Sequence, residues 1–141
     1  MAIRAKILDL FAGNPDYRKP LSEPIKMVDF MRTQGFVLEL QLDLMNIRGL
    51  TAIGTTVDGV DCPVMTFYPP ELRSGGFQHP TYFYKVSVPP YDPYFAAGTH
   101  TVVVRTGKPT MMGAFPFWKR KYVWEDEKAY QYTITGTKED T

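Results

Sequence analysis

Phe36-Val37-Leu38-Glu39-Leu40-Gln41-Leu42-Asp43-Leu44 is the stretch that decides the fold of this 141-residue chain. Large apolar residues occupy every second position of it, and polar residues fill most of the positions between them. Successive side chains of a strand point to opposite faces of a sheet, so this period of two predicts a strand with one buried face.

Five or six further apolar segments follow this strand, separated by turn signals such as Asp58-Gly59. Short strands at such spacing are typical of an antiparallel β-sandwich or barrel rather than an α/β fold. We therefore predict a mainly β protein, an antiparallel sandwich of about seven strands over residues 36–136, with a flexible tail over 137–141. The predicted segments are 50–57, 62–68, 81–88, 100–106, 117–124 and 130–136.

Residues 1–35 are predicted to form an N-terminal helical arm with one or two short helices. The first helix ends at Gly13-Asn14-Pro15, and a strand through the same segment is the alternative. The second begins with Ser22 as its cap and Pro24 in its first turn, and it ends before Gly35. The apolar residues that share one face of the first helix are Ile3, Ile7, Leu8 and Phe11.

Aromatic side chains dominate the last two predicted strands. A five-residue loop from Glu125 to Ala129 would place Trp124 opposite Tyr130 and Tyr122 opposite Tyr132, which is a favourable cross-strand arrangement. We predict this hairpin, with Tyr122 and Trp124 in the core.

Ala97-Gly98-Thr99-His100-Thr101-Val102-Val103-Val104 resembles the strand entry A-G-T-Y-T-V-x-V of immunoglobulin-like and transthyretin-like domains. The resemblance implies the sandwich architecture. It implies no particular function, because such sandwiches host many.

Composition narrows the class of protein. A net charge of +1 gives no strong overall field for nucleic acid or acidic membranes. Cys62 is the single cysteine, which excludes an intrachain disulfide and a cysteine-based zinc site. The sequence shows neither a signal-peptide core nor an apolar run that could span a membrane. We expect a protein of the cytoplasm of the producing cell, and assembly into a virus particle or signal-free export fits the same features.

Catalytic chemistry is sparse. His79 and His100 lie in different contexts, and each would need a carboxylate from elsewhere in the fold to act in catalysis or metal binding. Cys62 opens an apolar segment, where a packed, unreactive thiol is expected. No phosphate-binding glycine loop is present. We therefore predict a protein that is not an enzyme, with no catalytic residue, cofactor or metal site. The loop acids that could face the histidines are Asp61, Glu71 and Asp92.

Three long proline-bounded segments, 69–80, 89–99 and 107–116, carry the strongest functional signal, because long ordered loops are commonly functional. Fourteen of the twenty aromatic residues and eight of the twelve prolines lie between Thr66 and Trp124. The predicted interaction residues in these loops are Phe77, His79, Tyr91, Tyr94 and Phe95.

Three classes of function fit these features. The leading one is a non-enzymatic interaction or assembly module with a protein partner or a second copy, such as a structural subunit of a virus particle or secretion apparatus. The alternative is a module for carbohydrate or single-stranded nucleic acid, supported by the basic and aromatic run 117–122. A small hydrolase or transferase is the third, and no recognisable constellation of residues supports it.

Overall fold

The computed structural model describes residues 3–45, 47, 49–69, 79–89, 92–112 and 119–139 of the chain. Within them the protein is mainly β. The strands are β1 (Ala5–Asn14), β2 (Tyr17–Pro20), β3 (Ile25–Lys26), β4 (Gly35–Leu42), β5 (Thr51–Val57), β6 (Val60–Asp61), β7 (Met65–Phe67), β8 (Thr81–Ser87), β9 (Gly98–Met112) and β10 (Lys119–Thr135). The helices are α1 (Met27–Thr33) and α2 (Asp92–Phe95).

The first sheet has four antiparallel strands in the order β2-β1-β4-β8. Its β4 strand confirms the prediction made from the alternating sequence. The side chains of Phe36, Leu38, Leu40 and Leu42 are each 0% exposed. Glu39 and Gln41, on the other face, are partly exposed. The buried face of this strand therefore forms one side of the hydrophobic core.

The second sheet has six strands, in the order β3-β10-β9-β5-β6, with β7 also paired to β5. Its pairs are antiparallel except β3 with β10. The long strands β9 and β10 pair from Lys119 opposite Met112 to Ile134 opposite Gly98. These two long strands form the main pair of the second sheet.

The two sheets contribute to one hydrophobic core. Between them, the ring of Phe67 on β7 stacks on that of Tyr84 on β8, with ring centres 4.2 Å apart. The hydroxyl of Thr106 on β9 donates to the carbonyl oxygen of Ala5 on β1 at 2.5 Å. Both contacts join residues far apart in the sequence, so the core depends on tertiary packing of the whole chain.

The first predicted helix is wrong, and the alternative strand is right. β1 alternates in exposure, but a bulge between Ile7 and Asp9 shifts the pairing with β4. Such an extra residue moves the buried face from odd to even positions, which hid the period of two from the sequence. The N-terminal residues thus join the core as a strand of the first sheet. The buried residues of β1 are Ala5, Ile7, Leu10, Ala12 and Gly13.

The second predicted helix exists, but α1 begins at Met27 and not at Ser22, because Ile25 and Lys26 are extended and pair with β10. It ends as predicted at Gly35. Gln34 adopts the left-handed conformation, with φ 55°, and Gly35 has φ 151°. A Cβ on Gly35 would lie 2.2 Å from the carbonyl oxygen of Val86, so this turn requires glycine.

The predicted hairpin over Glu125–Ala129 is wrong. β10 continues through these residues as one strand, and β9 extends through the first part of the predicted loop 107–116. Trp124 consequently pairs with Gly107, and Tyr132 with His100, rather than with aromatics of a neighbouring hairpin strand.

Candidate interaction surface

Three of the five predicted interaction residues lie within the described part of the chain, and they differ in burial. Phe77 and Tyr91 lie outside the described residues. His79 is exposed, directly before β8. Tyr94 and Phe95 are not surface anchors, because their side chains are only 5% and 3% exposed. The described part of this predicted set therefore does not form one surface.

Helix α2 directs Tyr94 and Phe95 into an aromatic cluster in the core. The Phe95 ring centre is 5.3 Å from that of Phe30 on α1. The Tyr132 hydroxyl donates to the carbonyl oxygen of Tyr94 at 2.9 Å. Burial raises the pKa of Tyr132, so this hydroxyl keeps its proton and remains a donor. The loop aromatics that suggested binding thus stabilise the fold.

His100 is held between two oxygen acceptors at the rim of this cluster. Its Nδ1 lies 2.6 Å from Asp58 Oδ2, and its Nε2 lies 2.7 Å from the carbonyl oxygen of Ala96. Both ring nitrogens therefore lie within hydrogen-bond distance of an oxygen atom. Its ring also stacks on Tyr132 at 4.9 Å. The acid that pairs with His100 is in the Asp58-Gly59 turn, and the sequence candidates Asp61, Glu71 and Asp92 did not include it.

Asp58 is the anchor of this arrangement. Desolvation of its carboxylate favours the neutral form, but hydrogen bonds from the Thr101 backbone N–H and from His100, together with the charge of His100, outweigh it and lower the pKa. The Thr101 N–H donates to Asp58 Oδ1 at 2.9 Å. These bonds fasten the β5–β6 turn to β9, which is a structural role for the ion pair.

The thiol of Cys62 lies beside Tyr94 at the edge of this cluster. Cys62 is buried, as expected, and desolvation raises the pKa of its thiol, which disfavours the nucleophilic thiolate. Within the described ranges, no group of three or more His, Cys, Asp or Glu side chains is placed to hold a metal ion. Neither helix seen in the described part of the chain has the length and apolar content of a membrane span.

Tyr122 and Trp124 do not lie in the core, contrary to the prediction. The β9–β10 register shifts between Trp124 and Asp126, so Glu125 is an extra residue in β10. Beyond the bulge, the even-numbered Tyr132 and Ile134 face the core and are each 1% exposed. Before it, Trp124 lies opposite Gly107, on the other face of the sheet. The bulge therefore turns an aromatic pair outward.

The outward pair packs on a small residue of β5. A Cβ on Gly54 would lie 2.6 Å from Cη2 of Trp124, so the indole rests directly on the glycine backbone. The Tyr122 ring stacks on the indole with centres 5.3 Å apart. Arg105 and Glu127 form an ion pair at 2.8 Å beside it, at the edge of a cavity of about 340 Å³. The result is a partly exposed aromatic platform next to charged groups.

β9 and β10 also extend beyond the rest of their sheet. Among the described residues, β5 pairs with β9 as far as Gly107 and no further. We call residues 108–112 of β9 and 119–123 of β10 the arm, a two-stranded ribbon roughly 17 Å long at ordinary strand rise. Lys108 and Lys121 of the arm are exposed, and Tyr122 is partly exposed. The arm and the adjoining Trp124 form the candidate interaction surface.

A cavity of about 500 Å³ lies between the β1–β2 hairpin and α1. Tyr17, which is 74% exposed, lines it together with Lys19. Arg32 and Asp29, an ion pair on α1, line it as well. The lining offers an aromatic ring beside cationic groups, and no pattern in the sequence predicted this cavity.

Comparisons with known proteins give no lead: no family model matches the chain, and searches of curated proteins and solved structures return no match. Inference about function therefore rests on the residues of this chain.

Proposed function

We propose that this chain is a non-enzymatic interaction module that takes part in a protein assembly, with the arm as its contact element. The arm is the observation that supports this proposal. Among the described residues, no third strand pairs with 108–112 or with 119–123. Isolated two-stranded ribbons are marginally stable in water, and a third strand or a packed face stabilises them. A partner that covers the arm would supply that stabilisation.

The rest of the fold suits a scaffold for such a contact. We propose that the two sheets form an antiparallel β-sandwich of the immunoglobulin-like or transthyretin-like class. The shared core and the stacking of Phe67 on Tyr84 between the sheets support this architecture. The sheet holds the part of β9 that pairs with β5, and the arm continues from that part.

A structural subunit of a virus particle or secretion apparatus is the kind of protein that this arrangement suits. Subunits of such assemblies present extended elements to their neighbours, and strand pairing with a neighbour is a common contact. We place the protein in the cytoplasm of the producing cell until it assembles.

Light scattering coupled to size-exclusion chromatography tests the proposal. We expect the purified chain to form a defined assembly, alone or with its partner, and changing Tyr122 and Trp124 to serine to weaken that assembly while circular dichroism stays the same. Changing the distant, exposed Val60 to serine is the matched control and should have no effect. A chain that remains monomeric, and whose tryptophan fluorescence changes on adding an oligonucleotide or oligosaccharide, contradicts the proposal.

A carbohydrate or single-stranded nucleic-acid module is the second candidate. The cavity beside Tyr17, with Lys19 and Arg32 on its wall, is the observation that favours it, because a ring next to cations can stack a base or sugar. Tyr17→Ala should abolish a fluorescence response to such ligands if this function holds. The Tyr122–Trp124 platform favours it less, since the exposed carboxylate of Glu127 lies beside Trp124 and repels phosphate.

A further inference from the structure

One side chain ties together the two walls of the cavity between the β1–β2 hairpin and α1. The ammonium group of Lys85, on β8, donates to the carbonyl oxygen of Gly13 on the hairpin at 2.6 Å. It also donates to the carbonyl oxygen of Thr33 at the end of α1, at 2.7 Å. Gly13 and Thr33 both line the cavity. The two walls are therefore fixed relative to each other, and a preformed site lowers the cost of binding a ligand.

The other face of the hairpin is held as well. The guanidinium of Arg18, on β2, lies 3.8 Å from the ring centre of Phe83 on β8. Neighbouring side chains of a strand point to opposite faces, so Tyr17 and Lys19 lie on the face away from Arg18. Both of these side chains line the cavity. One face of β2 thus anchors the hairpin to the sheet, and the other supplies a ring and a cation to the cavity.

Positive charge is in surplus at this cavity. Arg32 on its wall pairs with Asp29. Lys19, in contrast, forms no ion pair with any described residue, and the same is true of Lys85 behind the wall. The negative end of α1 does not cancel this surplus, because Lys85 is bonded to its last carbonyl oxygen, that of Thr33. An anionic group in the cavity is therefore favoured.

The rest of the lining suits the neutral part of a small molecule. The Tyr17 side chain is 74% exposed, and no other ring of the described residues packs on it. Ile25 supplies apolar surface, and the exposed Asn14 supplies an amide. A volume of about 500 Å³ is in the usual range for small-molecule pockets. A strand of nucleic acid needs a succession of rings along a basic groove, whereas the described lining has one ring.

We propose that this cavity binds a mononucleotide, with the base stacked on Tyr17 and the phosphate held by Lys19 and Arg32. The proposal rests on the second candidate function, for which it names the ligand, and it is independent of the arm. The ribose hydroxyls then meet Asn14 and Asp29, whose side-chain oxygens accept hydrogen bonds. A neutral sugar would leave the surplus of positive charge unmatched, so the charge selects a nucleotide over a carbohydrate.

Isothermal titration calorimetry with adenosine monophosphate (AMP) and its two halves, adenosine and ribose phosphate, tests the site. AMP should bind at least about tenfold more tightly than either half, because it makes both sets of contacts. Tyr17→Ala should weaken the binding of AMP and adenosine by about tenfold and leave ribose phosphate unchanged, since only stacking is lost. Lys19→Gln and Arg32→Gln should each weaken AMP and ribose phosphate by about tenfold and leave adenosine unchanged.

The chain offers a matched control for each kind of change. Tyr68 is 74% exposed, as Tyr17 is, and Lys108 is an exposed lysine of the arm. Neither side chain lines the cavity. Tyr68→Ala and Lys108→Gln should therefore leave AMP binding unchanged, and thermal unfolding verifies that every variant is folded.

The possible failures of this site are distinguishable from failure of the proposed functions. No heat of binding with AMP or with uridine monophosphate at millimolar concentration overturns the mononucleotide site. Binding of AMP that is insensitive to the Tyr17 change, or to both cation changes, overturns it as well. An oligonucleotide or neutral oligosaccharide that binds through Tyr17 when AMP does not overturns it and leaves the second candidate function standing. Assembly through the arm is measured separately by light scattering, and these cavity variants should not affect it.

Discussion

The aromatic cluster around Phe30 and the aromatic pair on the outer face of the second sheet are built from the same kind of contact. The Phe30 and Phe36 ring centres are 5.3 Å apart, as are those of Tyr122 and Trp124. They differ in what covers them. Phe30 on α1 is 0% exposed among rings from β4, α2 and β10, whereas Trp124 rests on the backbone of Gly54 and is partly exposed. Aromatic content alone therefore does not identify a binding surface. What identifies it is whether other residues cover the rings.

Removal of Phe30 is expected to have the largest effect on stability. Phe30→Ala leaves a cavity among Phe36, Phe95 and Tyr132 and should lower the free energy of unfolding by about 3–5 kcal/mol in urea titrations. Tyr122→Ala, outside the core, is the comparison and should cost about 1 kcal/mol or less. Equal losses in the two variants would show that the outer pair is as structurally essential as the core cluster.

A methyl group under the outer pair should have the next largest effect. Gly54→Ala places a Cβ 2.6 Å from Trp124 Cη2, so the indole must move, at a cost of about 1–3 kcal/mol. In a Trp124→Ala background the same change should cost much less, and a double-mutant cycle measures this coupling. Additive effects in the cycle would mean that the indole does not rest on Gly54.

The ion pair of Asp58 and His100 should make a smaller, pH-dependent contribution. The pKa of Asp58 is lowered in the folded protein, so its contribution is fully present above its unfolded value of 3.8 and is lost as the pH falls through the lower folded value. Asp58→Asn should flatten this part of the stability profile, below the unfolded value of 3.8. An unchanged stability profile would show that Asp58 does not contribute to the loss of stability at low pH.

The ion pair of Arg105 and Glu127 should contribute least to folding. Both side chains are substantially exposed, at 40% and 55%, and such pairs contribute about 0.2–1 kcal/mol. Glu127→Gln should therefore leave the melting temperature nearly unchanged in scanning calorimetry. A large loss of stability would mean that this ion pair contributes to folding more than its exposure implies.

Prediction from sequence worked where the period of two was uninterrupted. The strand from Phe36 to Leu42 needed no tertiary information, because its alternation directly reflects one buried face. It failed at the two bulges. The one after Ile7 made a strand resemble a helix, and the one at Glu125 turned Trp124 away from the face of Tyr132. One extra residue reverses the face of the sheet on which the following side chains lie. The amino-acid composition of the strand does not reveal this change.

The site was harder to predict than the fold for a related reason. Tyr94 and Phe95 lie in a segment with polar neighbours. The sequence does not show that they pack against Phe30 and Tyr132 in the folded protein. The arm was hidden because Gly107 and Pro109 are typical of turns, although here they lie within β9 opposite Trp124 and Tyr122. Nevertheless, the expected burial of Cys62 is confirmed.

Amide hydrogen exchange, resolved by residue and measured over a series of protein concentrations, tests the central claim most directly. The account predicts that backbone amides of the arm, residues 108–112 and 119–123, become more protected as the concentration rises. Amides of the core pairing around Tyr132 should be equally protected at every concentration. Arm amides that exchange at one fast rate over the whole series would contradict the claim that the arm is the contact element of an assembly.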